Sequence, residues 1–285
     1  MSDPLQPIRD QIDAHDRQIV ELLNSRLALA AEIGKLKRDS GGQIYVPERE
    51  DAVFRKVTGL SQGPIKPEAL QAIYREIMSA ALAVEKDVAI ACVGPTGSPS
   101  HQAALGKFGS SVRYTFAAEI AGVFEEVAGE RADCGVVPLE DPAHGLVNQT
   151  LDALAENEVS VCAEIIPDSA SGDTRASARY LVLGRQPNAA SGNDHTMLML
   201  RIEDKPGALV SALEPFKELG INLTHFASRP AMKGSNDIFF FLEADGHTKE
   251  LQMADLFREL SKNCRAVKVL GSYPKHEPPE AAGQN

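Results

Sequence analysis

Three basic residues near the start of the chain have the spacing expected of an anion-binding helix. Arg26 and Lys37 are 11 residues apart, and at about 100° per residue this step returns to within roughly 20° of the same helical face. Arg9 precedes Arg26 by 17 residues and lies about 260° round the helix by the same arithmetic. A basic stripe beside an apolar one indicates anion binding, although a solvated charged face is the commoner use of such residues.

The elements that must position these residues are helices. Apolar residues recur with a period near 3.5 from Ile8 to Ile33, with no Gly or Pro between them, as is typical of packed helices. The pattern predicts one helix from about Leu5 to Arg38, followed by shorter helices that begin at Pro47 and Pro67. Two short helices cannot cover a rod of roughly 50 Å, so we expect an intertwined homodimer.

Four short runs in this segment carry charged residues between apolar ones. They are Ile8-Arg9-Asp10-Gln11-Ile12-Asp13, Gly34-Lys35-Leu36-Lys37, Pro47-Glu48-Arg49-Glu50 and Tyr74-Arg75-Glu76-Ile77-Met78-Ser79. Together with Arg26 they resemble the all-α class of chorismate mutase, over essentially residues 5–87. The resemblance implies chorismate as substrate and a cage of cations in a helical dimer. It implies the catalytic residues Arg26, Lys37 and Glu85 and the substrate-binding residues Arg49, Glu50 and, from the other subunit, Arg9.

The reaction that this resemblance implies explains the residue types. Chorismate rearranges to prephenate in one pericyclic step, which uses neither a nucleophile nor a metal, and we expect no cofactor. Arginines hold a dicarboxylate in a compact conformer through bidentate contacts. Lys37 and a neutral donor at Glu85 stabilise the negative charge that develops on the ether oxygen, so Glu85 must be protonated to act. The alternative for Glu85 is a solvated glutamate near a helix end.

Composition limits the class of protein. The 285 residues carry a formal net charge of −11, which indicates two or three domains and argues against nucleic acid or an anionic membrane as partner. No apolar run reaches about 18 residues and no signal pattern opens the chain, so we expect a cytoplasmic protein. The four cysteines form no C-x-x-C pair, which favours buried free thiols over a metal or redox site.

The middle segment, 88–186, alternates between strand and helix patterns, which predicts an α/β lobe. Strands are expected at 88–93, 134–137 and 159–166, and helices from about 101, at 117–129 and at 147–156. Four of its runs are Gly94-Pro95 with His101-Gln102-Ala103-Ala104, Gly135-Val136-Val137-Pro138-Leu139-Glu140, Val147-Asn148-Gln149-Thr150-Leu151-Asp152 and Arg179-Tyr180-Leu181-Val182-Leu183-Gly184. These runs resemble prephenate dehydratase.

That family builds a second lobe after the strand that ends near Ile166, and eleven residues, 167–177, are too few for one. Ala178-Arg179-Tyr180 stands where the family has Thr-Arg-Phe, which removes a catalytic hydroxyl. We therefore expect a reduced, inactive lobe that acts as a spacer, with His101 and His144 as ordinary surface or loop histidines.

The last segment, 192–275, shows the pattern β-α-β-β-α-β, which predicts a ferredoxin-like α+β fold. Lys205-Pro206-Gly207-Ala208-Leu209, Gly220-Ile221-Asn222-Leu223-Thr224 and Ala227-Ser228-Arg229-Pro230 resemble the regulatory ACT domain of prephenate dehydratases. The resemblance implies phenylalanine bound between two such domains, at Gly207, Ala208, Leu209, Asn222, Leu223, Ser228 and Arg229. Ala227 replaces a glutamate of the family, and a mere dimerisation module is the alternative. Residues 276–285 are polar and Pro-rich, and we expect them to be disordered.

The whole chain therefore resembles the bifunctional chorismate mutase–prephenate dehydratase family with half of the dehydratase deleted. We expect a multidomain protein: a helical mutase domain at 1–87, a reduced α/β lobe at 88–186, an ACT domain at 192–275 and a tail at 276–285. The expected function is a chorismate mutase of phenylalanine biosynthesis with a phenylalanine-sensing domain, as a homodimer or higher homo-oligomer. The alternatives are a bifunctional mutase and dehydratase, and a non-catalytic phenylalanine-binding regulatory protein.

Overall fold

The computed structural model describes residues 3–40, 45–167, 178–230 and 236–275. Within these ranges the chain forms three successive units, a helical one, an α/β one and an α+β one. The tail that was predicted to be disordered and most of the 167–177 connection lie outside the described residues.

The helical unit has three helices, α1 (Gln6–Ser40), α2 (Pro47–Leu60) and α3 (Pro67–Glu85). α1 has 35 residues and is therefore about 50 Å long, and a proline occupies the first turn of both α2 and α3, as predicted. α1 and α3 are in close contact, because a Cβ atom on Gly34 would lie only 2.7 Å from the Cα atom of Glu85. This approach brings the last turns of α1 to the end of α3.

The apolar stripe of α1 is largely uncovered in a single chain. Ile8 is 56% exposed, Ile12 53% and Leu22 70%. Exposure of large aliphatic side chains along one helix is costly in water. The intertwined dimer predicted above would cover this stripe, and it stays a prediction.

The middle unit is a mixed sheet with helices on its faces. Its strands are β1 (Ala89–Val93), β2 (Arg113–Ala117), β3 (Cys134–Asp141), β4 (Gly145–Leu146), β5 (Ser160–Ile165) and β6 (Arg179–Gly184), and its helices are α4 (Pro99–Phe108), α5 (Ile120–Ala128) and α6 (Asn148–Glu156). The strand order is β2-β1-β3-β6-β5, with β4 paired to β3. β5 and β6 are antiparallel neighbours, so the sheet continues directly across the point where a second lobe would be inserted.

Some elements of this unit differ from the prediction, in which β4 and β6 were not given as strands. β2 was not predicted, because it is an edge strand whose residues are exposed or half-buried and show no apolar run. β3 runs on to Asp141 rather than ending at Val137, because its last residues pair with β4 and β6. α5 begins at Ile120 rather than at 117.

The C-terminal unit consists of β7 (Asp194–Glu203), α7 (Ala208–Glu218), β8 (Leu223–Pro230), β9 (Asp237–Asp245), α8 (Leu251–Asn263) and β10 (Ala266–Pro274). Its antiparallel sheet has the order β10-β7-β9-β8, and the element order is the predicted β-α-β-β-α-β. Alternation along β7 directs Leu198 and Leu200 to the helices, whereas Met197 and Met199 pack in the core of the middle unit. The two sheets are therefore joined by a shared apolar core.

Three of the four cysteines, Cys92, Cys134 and Cys162, are buried and free, and Cys264 is half-buried and free. Burial raises the pKa of the Cys92 thiol to about 12, which makes it a poor nucleophile. Within the described ranges no helix has the length and apolar character needed to cross a membrane.

Candidate active site

A cavity of about 270 Å³ lies between the three helices of the first unit. α1 supplies Arg26 and Lys37, α2 supplies Arg49 and Glu50, and α3 supplies Glu85. Five of the six residues predicted for the mutase site therefore line one cavity. The helical spacing of Arg26 and Lys37 places both on the inner face of α1, and the proline at the start of α2 sets the turn that presents Arg49 and Glu50.

The rest of the cavity wall is apolar. Leu29, Ala30 and Ile33 of α1 face Met78 and Leu82 of α3 across it. Cations beside an apolar wall suit a ligand that combines carboxylates with a hydrocarbon ring. The charge of the cavity is net positive before a ligand enters, since three cations face two carboxylates.

Lys37 and Glu85 are in direct contact in this cavity. The Nζ atom of Lys37 lies 3.2 Å from Oε2 of Glu85, and the two side chains are 25% and 12% exposed. Glu85 is therefore not a solvated helix-end residue, which was the alternative for it. Lys37 and Glu85, the two residues expected to contact the ether oxygen of the substrate, therefore lie side by side on the cavity wall.

Glu50 is held by a residue that the sequence did not indicate. Its Oε2 atom lies 2.8 Å from Nζ of Lys107 and accepts a hydrogen bond of 3.4 Å from the Tyr45 hydroxyl. Lys107 belongs to α4 of the middle unit. Burial alone would lower the pKa of Lys107, but the carboxylates of Glu50 and Asp51 raise it above the usual lysine value, so the ammonium stays charged.

Arg9 lies outside the cavity of its own chain. Its side chain is 58% exposed and pairs with Asp3, with 2.9 Å between Nη1 and Oδ2. Along α1 it is 17 residues from Arg26, or about 26 Å at 1.5 Å per residue. Only Arg9 of another chain could therefore reach this cavity, as the predicted shared site requires.

Comparison with known proteins assigns the first two units. The family described as chorismate mutase type II matches residues 8–86, and the family described as prephenate dehydratase matches residues 90–168. The bifunctional chorismate mutase/prephenate dehydratase of Aquifex aeolicus (strain VF5) is 34% identical over 354 residues, covering 95% of this chain and 98% of the relative. That of Pseudomonas aeruginosa is 30% identical and covers 96% and 98%. This chain belongs to the bifunctional chorismate mutase/prephenate dehydratase family.

The same comparisons bear on the size of the dehydratase part. The alignment with the Aquifex aeolicus relative spans 354 residues, whereas this chain has 285, so that relative carries residues that this chain lacks. The dehydratase match ends at residue 168, soon after β5. A member of this family with one dehydratase lobe accounts for both observations.

Solved structures of prephenate dehydratases resemble about two thirds of this chain. Prephenate dehydratase from Streptococcus mutans matches with a TM-score of 0.55 and 28% identity, over 65% of this chain and 97% of that chain. Prephenate dehydratase from Arthrobacter aurescens in complex with L-Phe matches with a TM-score of 0.58 and 21% identity, over 66% and 90%. At this identity, the likeness to the Arthrobacter aurescens enzyme shows that the two proteins share a fold.

Arg179, which stands in the dehydratase motif of the family, is buried between the middle and C-terminal units. Its guanidinium pairs with Glu164 of β5, with Glu140 at 3.4 Å and with Glu243 of β9 at 3.1 Å, and His225 of β8 lies 2.7 Å from its Nη1 atom. The adjoining cavity measures about 10 Å³, room for about one water molecule. Arg179 therefore forms ion pairs that join the middle and C-terminal units.

One predicted surface histidine is in fact buried. His101 is 8% exposed, its Nδ1 atom accepts a hydrogen bond of 2.9 Å from the Gly97 N–H, and its ring packs edge-on against Tyr114 and Phe116. The prediction was wrong because the first turn of α4 lies on the sheet. His144 is exposed, as predicted, beside Asp141 at 2.9 Å.

The predicted effector residues lie at the start of α7 and at both ends of the edge strand β8. Gly207 begins α7 with a φ of +84°, a conformation that favours glycine. Ala208, Leu209, Leu223 and Arg229 are half-buried, whereas Gly207, Asn222 and Ser228 are exposed. Arg229 reaches the middle unit, where its Nη2 atom lies 2.6 Å from Oδ2 of Asp152. Neither cavity described above is lined by these effector residues.

Proposed function

We propose that this chain is a chorismate mutase, an isomerase that converts chorismate to prephenate for phenylalanine biosynthesis. The observation that carries the proposal is the convergence of Arg26, Lys37, Arg49, Glu50 and Glu85 on one cavity. Solvated helix faces would point these charges outward. Three cations and two carboxylates around an apolar wall are instead the groups that a cyclic dicarboxylate with one hydroxyl requires.

Each residue then has a role in a reaction in which one C–O bond breaks as one C–C bond forms. Arg26 and Arg49 hold the substrate carboxylates in the compact conformer, and Arg9 of a second chain closes the site. Lys37 stabilises the charge that develops on the ether oxygen. Protonated Glu85 donates to the same oxygen, and Glu50 accepts a hydrogen bond from the substrate hydroxyl.

The C-terminal unit is proposed to be an ACT domain that senses phenylalanine. Its β-α-β-β-α-β order and the runs at 205–209, 220–224 and 227–230 support this. Four of the seven effector residues, Asn222, Leu223, Ser228 and Arg229, lie on or next to the edge strand β8, where Phe226 is 48% exposed. A second copy at this edge would cover the apolar surface and complete the effector site.

Dehydratase activity is the second candidate function. The relatives are bifunctional enzymes, and their names support retained dehydratase activity more directly than they support an inactive lobe. Against it stand the ion pairs that occupy Arg179 and the adjoining cavity of about 10 Å³. Conversion of prephenate to phenylpyruvate needs a water-excluded cleft with an acid at the leaving hydroxyl.

One experiment separates these functions. Purified protein is incubated with chorismate while prephenate and phenylpyruvate are both followed over time. We expect enzyme-dependent prephenate, with phenylpyruvate at the uncatalysed rate. Phenylpyruvate formation that scales with protein concentration would establish the bifunctional alternative, whereas absence of both products would leave the non-catalytic phenylalanine-binding protein.

A further inference from the structure

The middle unit supplies a side chain to the mutase site of the helical unit. Lys107, in the last turn of α4, places Nζ 2.8 Å from Oε2 of Glu50, and the two side chains are 20% and 13% exposed. Lys107 does not itself line the cavity, so it approaches Glu50 from behind. Beside it, the rings of Phe108 and Tyr45 pack with their centroids 4.8 Å apart.

The end of α4 is fixed against the helical unit. A Cβ atom on Gly109 would lie 2.6 Å from Cβ of Ser79 in α3, so only a glycine allows this approach. The next residue, Ser110, donates its N–H and its hydroxyl to Oε2 of Glu76, at 3.0 and 2.6 Å. Lys107 therefore extends from a backbone that α3 holds in place.

We propose that Lys107 is a positioning residue of the mutase site, through which the dehydratase-like lobe holds the carboxylate of Glu50. The inference rests on the proposed mutase function and deepens it. Without Lys107, the Glu50 carboxylate would rotate toward the cations of its own cavity, Arg26 and Arg49, and compete with the substrate carboxylates for them. With Lys107 and Tyr45 both at Oε2, the carboxylate faces the substrate hydroxyl.

This role gives the middle lobe a function that is independent of dehydratase chemistry. The lobe is a part of the mutase site rather than a spacer between two domains. A helical unit separated from it would lose the partner of Glu50 and the packing surface of Tyr45.

The test compares steady-state kinetics of full-length variants with chorismate. We expect Lys107→Met to raise KM roughly tenfold, as loss of one charge-assisted hydrogen bond implies, and to leave kcat within about twofold. The split follows because the hydroxyl contact is equally strong in the ground and transition states. Lys107→Arg should restore most of the affinity. The matched control, Arg113→Met, removes the 3.4 Å ion pair between Arg113 of β2 and Asp87, which joins the same two units without touching Glu50 or Lys107, and its KM should equal that of the parent.

A double-mutant cycle shows whether Lys107 acts through Glu50. In a Glu50→Gln background, where no carboxylate needs to be held, Lys107→Met should change KM no further. A tenfold effect that persists in that background, or an unchanged or lower KM in the single variant, would overturn the proposal. If Lys107→Met does not fold, Lys107→Leu makes the same prediction because its side chain is uncharged and cannot donate a hydrogen bond. A parent chain that makes no prephenate would instead overturn the proposed function, and this inference with it.

Discussion

Replacement of Arg179 by methionine tests the cluster that joins the middle and C-terminal units. The arginine side chain is 10% exposed, and two of its partners, Glu164 and Glu243, are each 5% exposed. Methionine is unbranched but shorter than arginine and uncharged, so Arg179→Met leaves buried carboxylates without their common cation. Removing one partner of a buried ion pair costs about 3–5 kcal/mol. We expect the free energy of unfolding to fall by about this amount at neutral pH.

The loss of unfolding free energy in Arg179→Met should depend on pH, and the pKa shifts of the two carboxyls determine whether it grows or shrinks as pH rises. In the parent, burial raises the pKa of Glu164 above its usual value. Burial acts on Glu243 in the same direction, but Arg179 and the Tyr273 hydroxyl outweigh it, so the pKa of Glu243 lies below its usual value. In the variant the Tyr273 hydroxyl still lowers the pKa of Glu243, but Arg179 no longer opposes the effect of burial, so both folded-state pKa values are higher than in the parent. Groups of this kind stabilise the fold below the unfolded-state pKa, and that contribution is lost as pH rises through the folded-state pKa. The deficit of the variant should therefore be larger at about pH 8 than at about pH 5.

The measurement is urea unfolding followed by far-UV circular dichroism, because the chain has no tryptophan. The matched control is Arg258→Met, which removes an arginine that is 67% exposed and paired with Asp255 at 2.8 Å. Such a surface pair contributes less than about 1 kcal/mol. A loss in Arg179→Met no larger than that of the control, or a deficit that is the same at both pH values, would refute the reasoning.

Three further predictions concern the mutase site. Lys37→Ala should reduce turnover, measured from chorismate disappearance, by about 10²-fold or more without loss of folding. Turnover close to that of the parent would contradict the assigned site. Arg9→Ala and Arg26→Ala chains, each inactive, should recover activity when mixed and refolded, because a mixed dimer regains one intact site; proven mixed dimers without activity would argue against a shared site. Glu85→Gln keeps a neutral donor beside Lys37, so its turnover at about pH 8 should exceed that of the parent, whereas superimposable pH profiles would assign Glu85 no part in catalysis.

Local periodicity was enough to define the helices and most of the buried strands, but not the edge strand β2, which has no apolar run. The 11-residue step between Arg26 and Lys37 places them on the same face of α1 because an α-helix turns by a constant angle per residue. The alternation along β7 likewise assigns Leu198 and Met197 to opposite faces of the sheet. Family resemblance added which residues of the helical unit would meet, and the structure brings five of those six into one cavity.

The contacts between elements were decided only by the tertiary structure. Lys107 lies in the last turn of α4, and nothing in the neighbouring residues indicates that it meets Glu50. Arg179 and Glu243 are 64 positions apart, and His101 is buried because its helix lies on the sheet. A local pattern records which side chains share a face of one element, whereas the partner of that face depends on how all the elements pack at once. The sequence therefore determined the parts of this protein, and packing decided that Lys107 of the dehydratase-like lobe pairs with Glu50 of the proposed mutase site.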